Sequence, residues 1–470
     1  MYIYFIYNNY NLQYQIIMKL YFLLLFSVLL ILINSSSYKV NDLFNGLYSK
    51  DIFSGYLSTG NPNHKLFYIF TPSQSSTPDK DPLILWLHGG PGCSSLAAFL
   101  MEVGPVVTEK FGNQFKLNKY AWNNNANIIF LESPAGVGFS INKDEPYSFD
   151  DPTVAKENLN AFINFFEDFP QYKENEVYLS GASYSGVVIP FFIKAYYEQN
   201  EFKCNLKGSF IGNGLTSFDL DEERAMVHFG YGHGIVGYEL MKEFERNCPH
   251  LDFYFHKSKE ENIINPQKVT HRCNEIRKEI KNCFEGNDLF GIYHKCEVSN
   301  ANQENIIHKI LSKANEEDEI SILPNYCKDD YFIQDFLNQN TIKEKLSVED
   351  KSIFWSSCNG DVSSHYHFSE SLPLYKDFIL NHNLRTWHLS GDSDSCIPTF
   401  GTMKWIEQLS LPIKTEWRAW HTGNQIAGYL QEYEDFTFLT VKGAGHIIPL
   451  DKREASYLAF NAFLSGELPK

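Results

Sequence analysis

The sequence is short of positive charge. Its 470 residues carry 40 Lys and Arg against 57 Asp and Glu, a formal net charge of −17. No basic block offsets that balance, which argues against nucleic acid as a partner. The acidic balance fits solubility at neutral pH and reduced self-repulsion in an acidic compartment. No Cys-x-x-Cys and no His-Glu-x-x-His spacing occurs, so neither a structural zinc nor a zinc-peptidase site is expected, and no cofactor is called for. Long apolar runs are limited to one. After Met18-Lys19-Leu20, residues Tyr21 to Ile33 are almost all Leu, Phe, Ile and Val, and Asn34-Ser35-Ser36-Ser37 follows. A short basic start, an apolar core and a small-residue exit read as a secretory signal. No second run of about 18 apolar residues follows, so no stable membrane insertion is expected once the signal is cleaved. Residues 1–17 read as an upstream extension, leaving Met1 or Met18 as the start. The single Asn-x-Ser/Thr sequon, Asn34-Ser35-Ser36, falls at the cleavage region, so N-glycosylation of the mature chain is not expected. Internal repeats are absent.

What is present suits a large core with insertions. Hydrophobic content is 43% and aromatic content 16%, enough to set global disorder aside. Nine cysteines follow the signal, and in a secreted chain they read mainly as disulfides, with at least one left over. Five of them (Cys248, Cys273, Cys283, Cys296, Cys327) fall close together, which points to a locally stapled insertion.

Residues 51 to 70 alternate as a hairpin about a Gly-Asn-Pro turn. Pro82 to Leu87 is a continuous apolar run of strand length, as is Ile128 to Leu131; such runs suit buried parallel strands. Residues 151 to 169 carry apolar residues at helical spacing. Val177 to Leu179, the run opening at Gly208, Leu384 to Leu389 and Phe436 to Val441 are further strands, and Lys452 to Leu464 is a terminal amphipathic helix. Strands alternating with helices imply a doubly wound, mostly parallel α/β sheet. Residues 215 to 345 differ. They are charged, cysteine-bearing and helical in pattern (Lys268 to Ile280, Asn302 to Glu316), and read as an inserted helical cap. The organisation is therefore 1–37 extension and signal, 38–214 first part of the core, 215–345 cap, and 346–470 second part of the core.

The Gly-rich stretches follow strand ends, where α/β sheets build their sites. Gly181-Ala182-Ser183-Tyr184-Ser185-Gly186 reads as a nucleophile elbow, a tight strand-to-helix turn that pushes Ser183 into the open and demands small residues at 181 and 185. Ser390-Gly391-Asp392-Ser393-Asp394 and Lys442-Gly443-Ala444-Gly445-His446 end two later strands. Serine needs an imidazole to take its proton and an acid to fix that imidazole's tautomer. Ser183, then Asp392 or Asp394, then His446 is the chain order of the α/β-hydrolase triad.

These stretches, with Trp86-Leu87-His88-Gly89-Gly90-Pro91-Gly92-Cys93-Ser94-Ser95, Met101-Glu102-Val103-Gly104-Pro105, Glu132 to Ser140 and Ile211-Gly212-Asn213-Gly214, make the chain resemble the serine carboxypeptidase family over nearly all of the mature sequence. The resemblance implies an acid-active exopeptidase that releases C-terminal residues from peptides and proteins, with the α/β-hydrolase fold. It implies Ser183 as nucleophile, Asp394 as triad acid and His446 as base, with the N–H groups of Gly90 and Tyr184 as oxyanion hole. It also implies a Cys93–Cys358 disulfide, a carboxylate-binding set at Trp86, His88, Gly89 and Glu102, and residence in a lysosome or vacuole or outside the cell. Relatives in the family form dimers, which leaves a homodimer open.

Two positions depart from the family. Its members grip the terminal carboxylate with a Trp, an Asn and two Glu, the Glu pair sharing a proton. Here the Asn position is His88, and the Glu beside the nucleophile is Ala182. One expectation is that a protonated His88 near Glu102 takes over; another is that a neutral His88 donates a hydrogen bond as Asn would. A third is that carboxylate recognition is lost and the triad serves an acyltransferase, and a fourth that the fold only binds or protects a partner. Cys396, two residues after Asp394, reads either as a free thiol near the site or as a structural cysteine.

Overall fold

Residues 18–19, 37–109, 114–144, 146–248, 270–294 and 327–470 are described in the computed structural model. The signal segment from residue 20, the helical pattern at Asn302 to Glu316 and Cys296 lie outside them. Eleven strands of one large sheet carry the fold: β1 Ser37–Lys39, β2 Phe53–Ser58, β3 His64–Thr71, β4 Leu83–Leu87, β5 Asn127–Leu131, β6 Glu176–Ala182, β7 Asn205–Gly212, β8 Arg385–Gly391, β9 Ile413–Thr422, β10 Gln425–Tyr433 and β11 Phe436–Val441. Their spatial order is β1-β2-β3-β5-β4-β6-β7-β8-β11-β10-β9. The six central strands, β5 to β11 in that order, pair in parallel. Antiparallel strands flank them on both sides.

The continuous apolar runs are central strands because both faces of the sheet are covered. Leu83, Leu85 and Leu87 of β4 enter one buried cluster, with Phe162, Phe165 and Ile189. Ile84 and Trp86 enter the other, with Phe460 and Phe463. Alternate side chains thus feed opposite layers. The first layer comes from helices α1 (Asp151–Asp168) and α2 (Ser185–Glu198). Helix α1 starts at residue 151 because the Asp150 side chain accepts the Thr153 N–H at 2.9 Å and Pro152 occupies the first turn.

Helices α3 (Glu223–Gly232), α4 (Tyr238–Asn247) and α5 (His271–Phe284) share a separate small core around Val227, Phe244, Ile276 and Ile280, stapled by a Cys248–Cys273 disulfide. Helices α6 (Cys327–Leu337) and α7 (Asn340–Lys345) instead pack Ile333, Leu337 and Ile342 against the sheet's own core. Helix α8 (Thr399–Leu409) follows β8, and α9 (Arg453–Ser465) closes the chain. The long β9–β10 hairpin was not legible as strands: β9 is mostly exposed and alternates poorly, and pairing rather than burial defines it. Among the described residues no helix is long and apolar enough to cross a membrane.

Candidate active site

The carboxyl ends of β4, β6, β8 and β11 meet at one rim. At the end of β6 the chain turns through Ser183 with φ +61°, a left-handed conformation that costs a non-glycine residue. The turn is fixed on both sides. Ser183 N–H donates to the Gly212 carbonyl at 3.1 Å, and the Ser183 carbonyl accepts from Leu215 and Gly186 N–H at 3.0 Å. Position 181 admits only glycine, since a Cβ there would lie 2.0 Å from the Leu87 carbonyl. Ser185 is small enough to fit, and its hydroxyl is used: it lies 2.5 Å from the Leu87 carbonyl and accepts the Ala182 N–H at 3.1 Å.

Asp394 is fully buried, and its Oδ2 lies 2.7 Å from Nδ1 of His446, itself 2% exposed. Its Oδ1 accepts the Cys396 N–H at 2.8 Å. With Nδ1–H committed to Asp394, the basic nitrogen of a neutral His446 is Nε2. The second acid candidate, Asp392, is a turn residue; its Oδ1 accepts the Gly443 N–H at 2.5 Å. Asn213 had gone unassigned by its motif alone. Fully buried at φ +43°, it donates to the Gly445 and His446 carbonyls at 3.0 and 2.7 Å and accepts the Gly391 N–H at 2.8 Å, tying β7 to both loops.

The loop after β4 lies against the elbow. A Cβ on Gly89 would meet the Ala182 carbonyl at 2.6 Å, the Ser183 Cβ at 2.7 Å and the Tyr184 nitrogen at 2.8 Å. Only glycine lets this backbone come so close. Behind it, a Cys93–Cys358 disulfide joins the loop to the 355–358 stretch, and Ser94 N–H donates to the Ser357 carbonyl at 2.7 Å. Glu132, fully buried, accepts from Ser94 Oγ, from the Phe139 N–H at 2.6 Å and from Trp355 Nε1–H at 2.9 Å. Burial pushes its pKa up to about 7, against these hydrogen bonds. Asp151 plays the same part under Tyr184, accepting its hydroxyl at 2.9 Å, the Tyr366 hydroxyl at 3.0 Å and the Ser369 N–H at 2.8 Å; burial pushes it up to about 6.

At the expected carboxylate-binding positions, Trp86 Nε1–H donates to His88 Nδ1 at 3.3 Å. Enclosure by the surrounding chain, and then the nearby His446, push the His88 pKa down to about 4, although the residue keeps some solvent contact. The donation from Trp86 and the lowered pKa together favour a neutral imidazole accepting at Nδ1 over a protonated ring. Glu102 is 2% exposed, and its Oε2 has no hydrogen-bond partner among the described residues. Burial, only partly offset by Arg453, pushes its pKa up to about 8. Cys396 is half-buried and carries no disulfide among the described residues, and desolvation raises its thiol well above the ordinary value, which disfavours a reactive thiolate.

Residues 44–466 match the family model described as serine carboxypeptidase. Serine carboxypeptidase-like 26 of Oryza sativa subsp. japonica is 33% identical over 435 residues, covering 88% of this chain and 87% of that protein. The lysosomal protective protein of Mus musculus is 30% identical over 446 residues, covering 88% and 90%. Among solved structures, the prohormone-processing carboxypeptidase KEX1(DELTA)P of Saccharomyces cerevisiae superposes with a TM-score of 0.72 at 21% identity, covering 91% of this chain and 96% of that one, which supports the shared fold. Fold, motif order and these similarities agree, and the chain belongs to the serine carboxypeptidase family.

Proposed function

We propose that this chain is a serine-type carboxypeptidase that releases C-terminal amino acids from peptides and proteins. The observation that carries the reading is the 2.7 Å pairing of buried Asp394 with His446 on the same rim as the strained Ser183. In this reading His446 Nε2 takes the Ser183 proton as Oγ attacks the scissile carbonyl. The N–H groups of Gly90 and Tyr184 receive the developing oxyanion, and His446 returns the proton to the leaving amino acid. Water then hydrolyses the acyl-enzyme by the same route. Within residues 215–345, helices α3, α4 and α5 serve as the cap, and the Met18 to Ser37 signal sends the chain into the secretory pathway, to a lysosome or vacuole or to the outside.

The terminal carboxylate is held by Trp86, His88, Gly89 and Glu102. A neutral His88 whose Nδ1 accepts from Trp86 carries its proton on Nε2, and that N–H donates as the family's Asn amide does. Glu102, kept neutral by burial, donates a second hydrogen bond from its acid proton. A carboxylic acid that stays protonated to about pH 8 supports binding across acidic and neutral pH. A second reading, transfer of the acyl group to an acceptor other than water, is favoured by one observation: Ala182 stands where the family has its second Glu, and it is 4% exposed beside the nucleophile.

The test is release of free amino acid from a blocked dipeptide against the same dipeptide amidated at its C-terminus, across pH 4 to 9. The proposal expects release from the free acid alone. Equal turnover of both would overturn it, as would turnover of neither while a fluorophosphonate still labels Ser183, the outcome that favours the acyltransferase reading.

A further inference from the structure

The loops that carry Asp394 and His446 are gripped from the cap side by residues 288–294, a stretch outside every motif. Ser395 N–H and Oγ–H donate to the Leu289 carbonyl at 3.0 and 2.8 Å, and Ile292 N–H donates to the Ser393 carbonyl at 3.2 Å. His446 N–H donates to the Phe290 carbonyl at 2.5 Å. One short stretch thus satisfies backbone groups on the acid loop and on the base loop together. The Phe290 ring also stands edge-on to the His446 imidazole, with centroids 4.6 Å apart. The fit is close: a Cβ on Gly445 would lie 2.0 Å from the Phe290 carbonyl.

One side chain ties this stretch to Asp451. His294 sits between two carboxylates, Nδ1 3.1 Å from Asp288 Oδ2 and Nε2 2.8 Å from Asp451 Oδ1. The other oxygens of both carboxylates are used locally. Asp451 Oδ2 accepts the Gly445 N–H at 2.7 Å, one residue before His446, and Asp288 Oδ1 accepts the Phe290 N–H at 2.9 Å. A ring with a carboxylate at each nitrogen is an imidazolium donating twice, and its pKa is raised to about 10 by those two hydrogen bonds, Asp288 first. Asn213 holds the same two loops from the sheet side.

We propose that His294 is a positioning residue for the reaction: its bridge from Asp288 to Asp451 clamps residues 288–294 onto the loops of Asp394 and His446 and keeps the base in register with Ser183. The proposal rests on the catalytic role given above to Ser183, Asp394 and His446. Geometry is where such a bridge acts, since a misplacement of about 1 Å in a catalytic group can cost roughly 100-fold in rate.

The experiment uses the full chain. It measures the second-order rate of Ser183 inactivation by a fluorophosphonate, together with kcat and KM on the blocked dipeptide, for wild type, His294→Leu, His294→Arg and Asp288→Asn. His294→Leu should lower the inactivation rate and kcat together by roughly 10- to 100-fold with KM held within about threefold. His294→Arg, whose guanidinium can still span two carboxylates, should recover most of the loss. Asp288→Asn, a milder change that serves if His294→Leu does not fold, should lower the inactivation rate by about threefold to tenfold. A folded His294→Leu within twofold of wild type, an arginine variant no better than leucine, or an unaffected Asp288→Asn would overturn the proposal. The inactivation rate needs no peptide, so a wild-type chain that reacts with the fluorophosphonate but cleaves no dipeptide would refute the carboxypeptidase reading while the role of His294 is still decided.

Discussion

Replacing Glu102 with Gln tests the proposed role of its acid proton in binding a terminal carboxylate. Glu102 is 2% exposed, and burial outweighs the pull of Arg453 to push its pKa up to about 8. Below that pH it is a neutral acid with one proton to donate; above it, a carboxylate facing the carboxylate of the substrate. Gln has the same shape, stays neutral and keeps an N–H donor. At pH 5 to 6 the Glu102→Gln variant should therefore bind the blocked dipeptide with a KM within about threefold of wild type. Above pH 8 the wild-type KM should rise about tenfold per pH unit, the slope of a single ionisation, while the variant's does not. Stability carries the same signature. The folded chain keeps a proton that the unfolded chain gives up above about pH 4.3. Folding stability therefore falls as pH rises from there to about 8, by at most about 1.4 kcal/mol per unit. Glu102→Gln removes that loss, so its thermal transition should gain on wild type progressively through the same window. The assay is kcat and KM determined separately at each pH from 5 to 9, with thermal unfolding in the same buffers. A wild-type KM that stays flat through pH 9, or a variant KM that rises in parallel with it, refutes the reasoning.

Three further substitutions probe the rim. Asp394→Asn should lower kcat by about 10⁴-fold with little change in KM, because an amide no longer fixes the His446 tautomer; Asp392→Asn, whose amide oxygen can still accept the Gly443 N–H, should cost less than about tenfold in the same assay. Gly89→Ala should cost about 100-fold or more in kcat while the chain still folds, since the new Cβ would fall within 3 Å of the Ala182 and Tyr184 backbone and displace the oxyanion loop; unchanged kcat would mean that this loop does not shape the transition state.

The sequence by itself pointed to the central strands of the sheet and to the candidate residues on its rim. Pro82 to Leu87 and Ile128 to Leu131 are apolar on both alternations, the pattern of a short strand covered on two faces. Gly181, Gly89 and Gly445 marked the turns because each lies where a backbone approaches too closely for a Cβ, so the rim residues stood out beside them. Local pattern could not reach further. It left Asp392 and Asp394 equivalent, since which of two aspartates meets an imidazole 52 residues later depends on how β8 and β11 end side by side. It could not set the charge of His88 or of Glu102, since desolvation is a property of the packed surroundings rather than of the residue. Nor could it show that residues 288–294 clasp the loops of both Asp394 and His446, or that Glu132 and Asp151 lie beneath the loop after β4 and Tyr184. Those contacts join segments far apart in the chain, and only the closed tertiary structure, where burial leaves each polar group to find a partner, decides them.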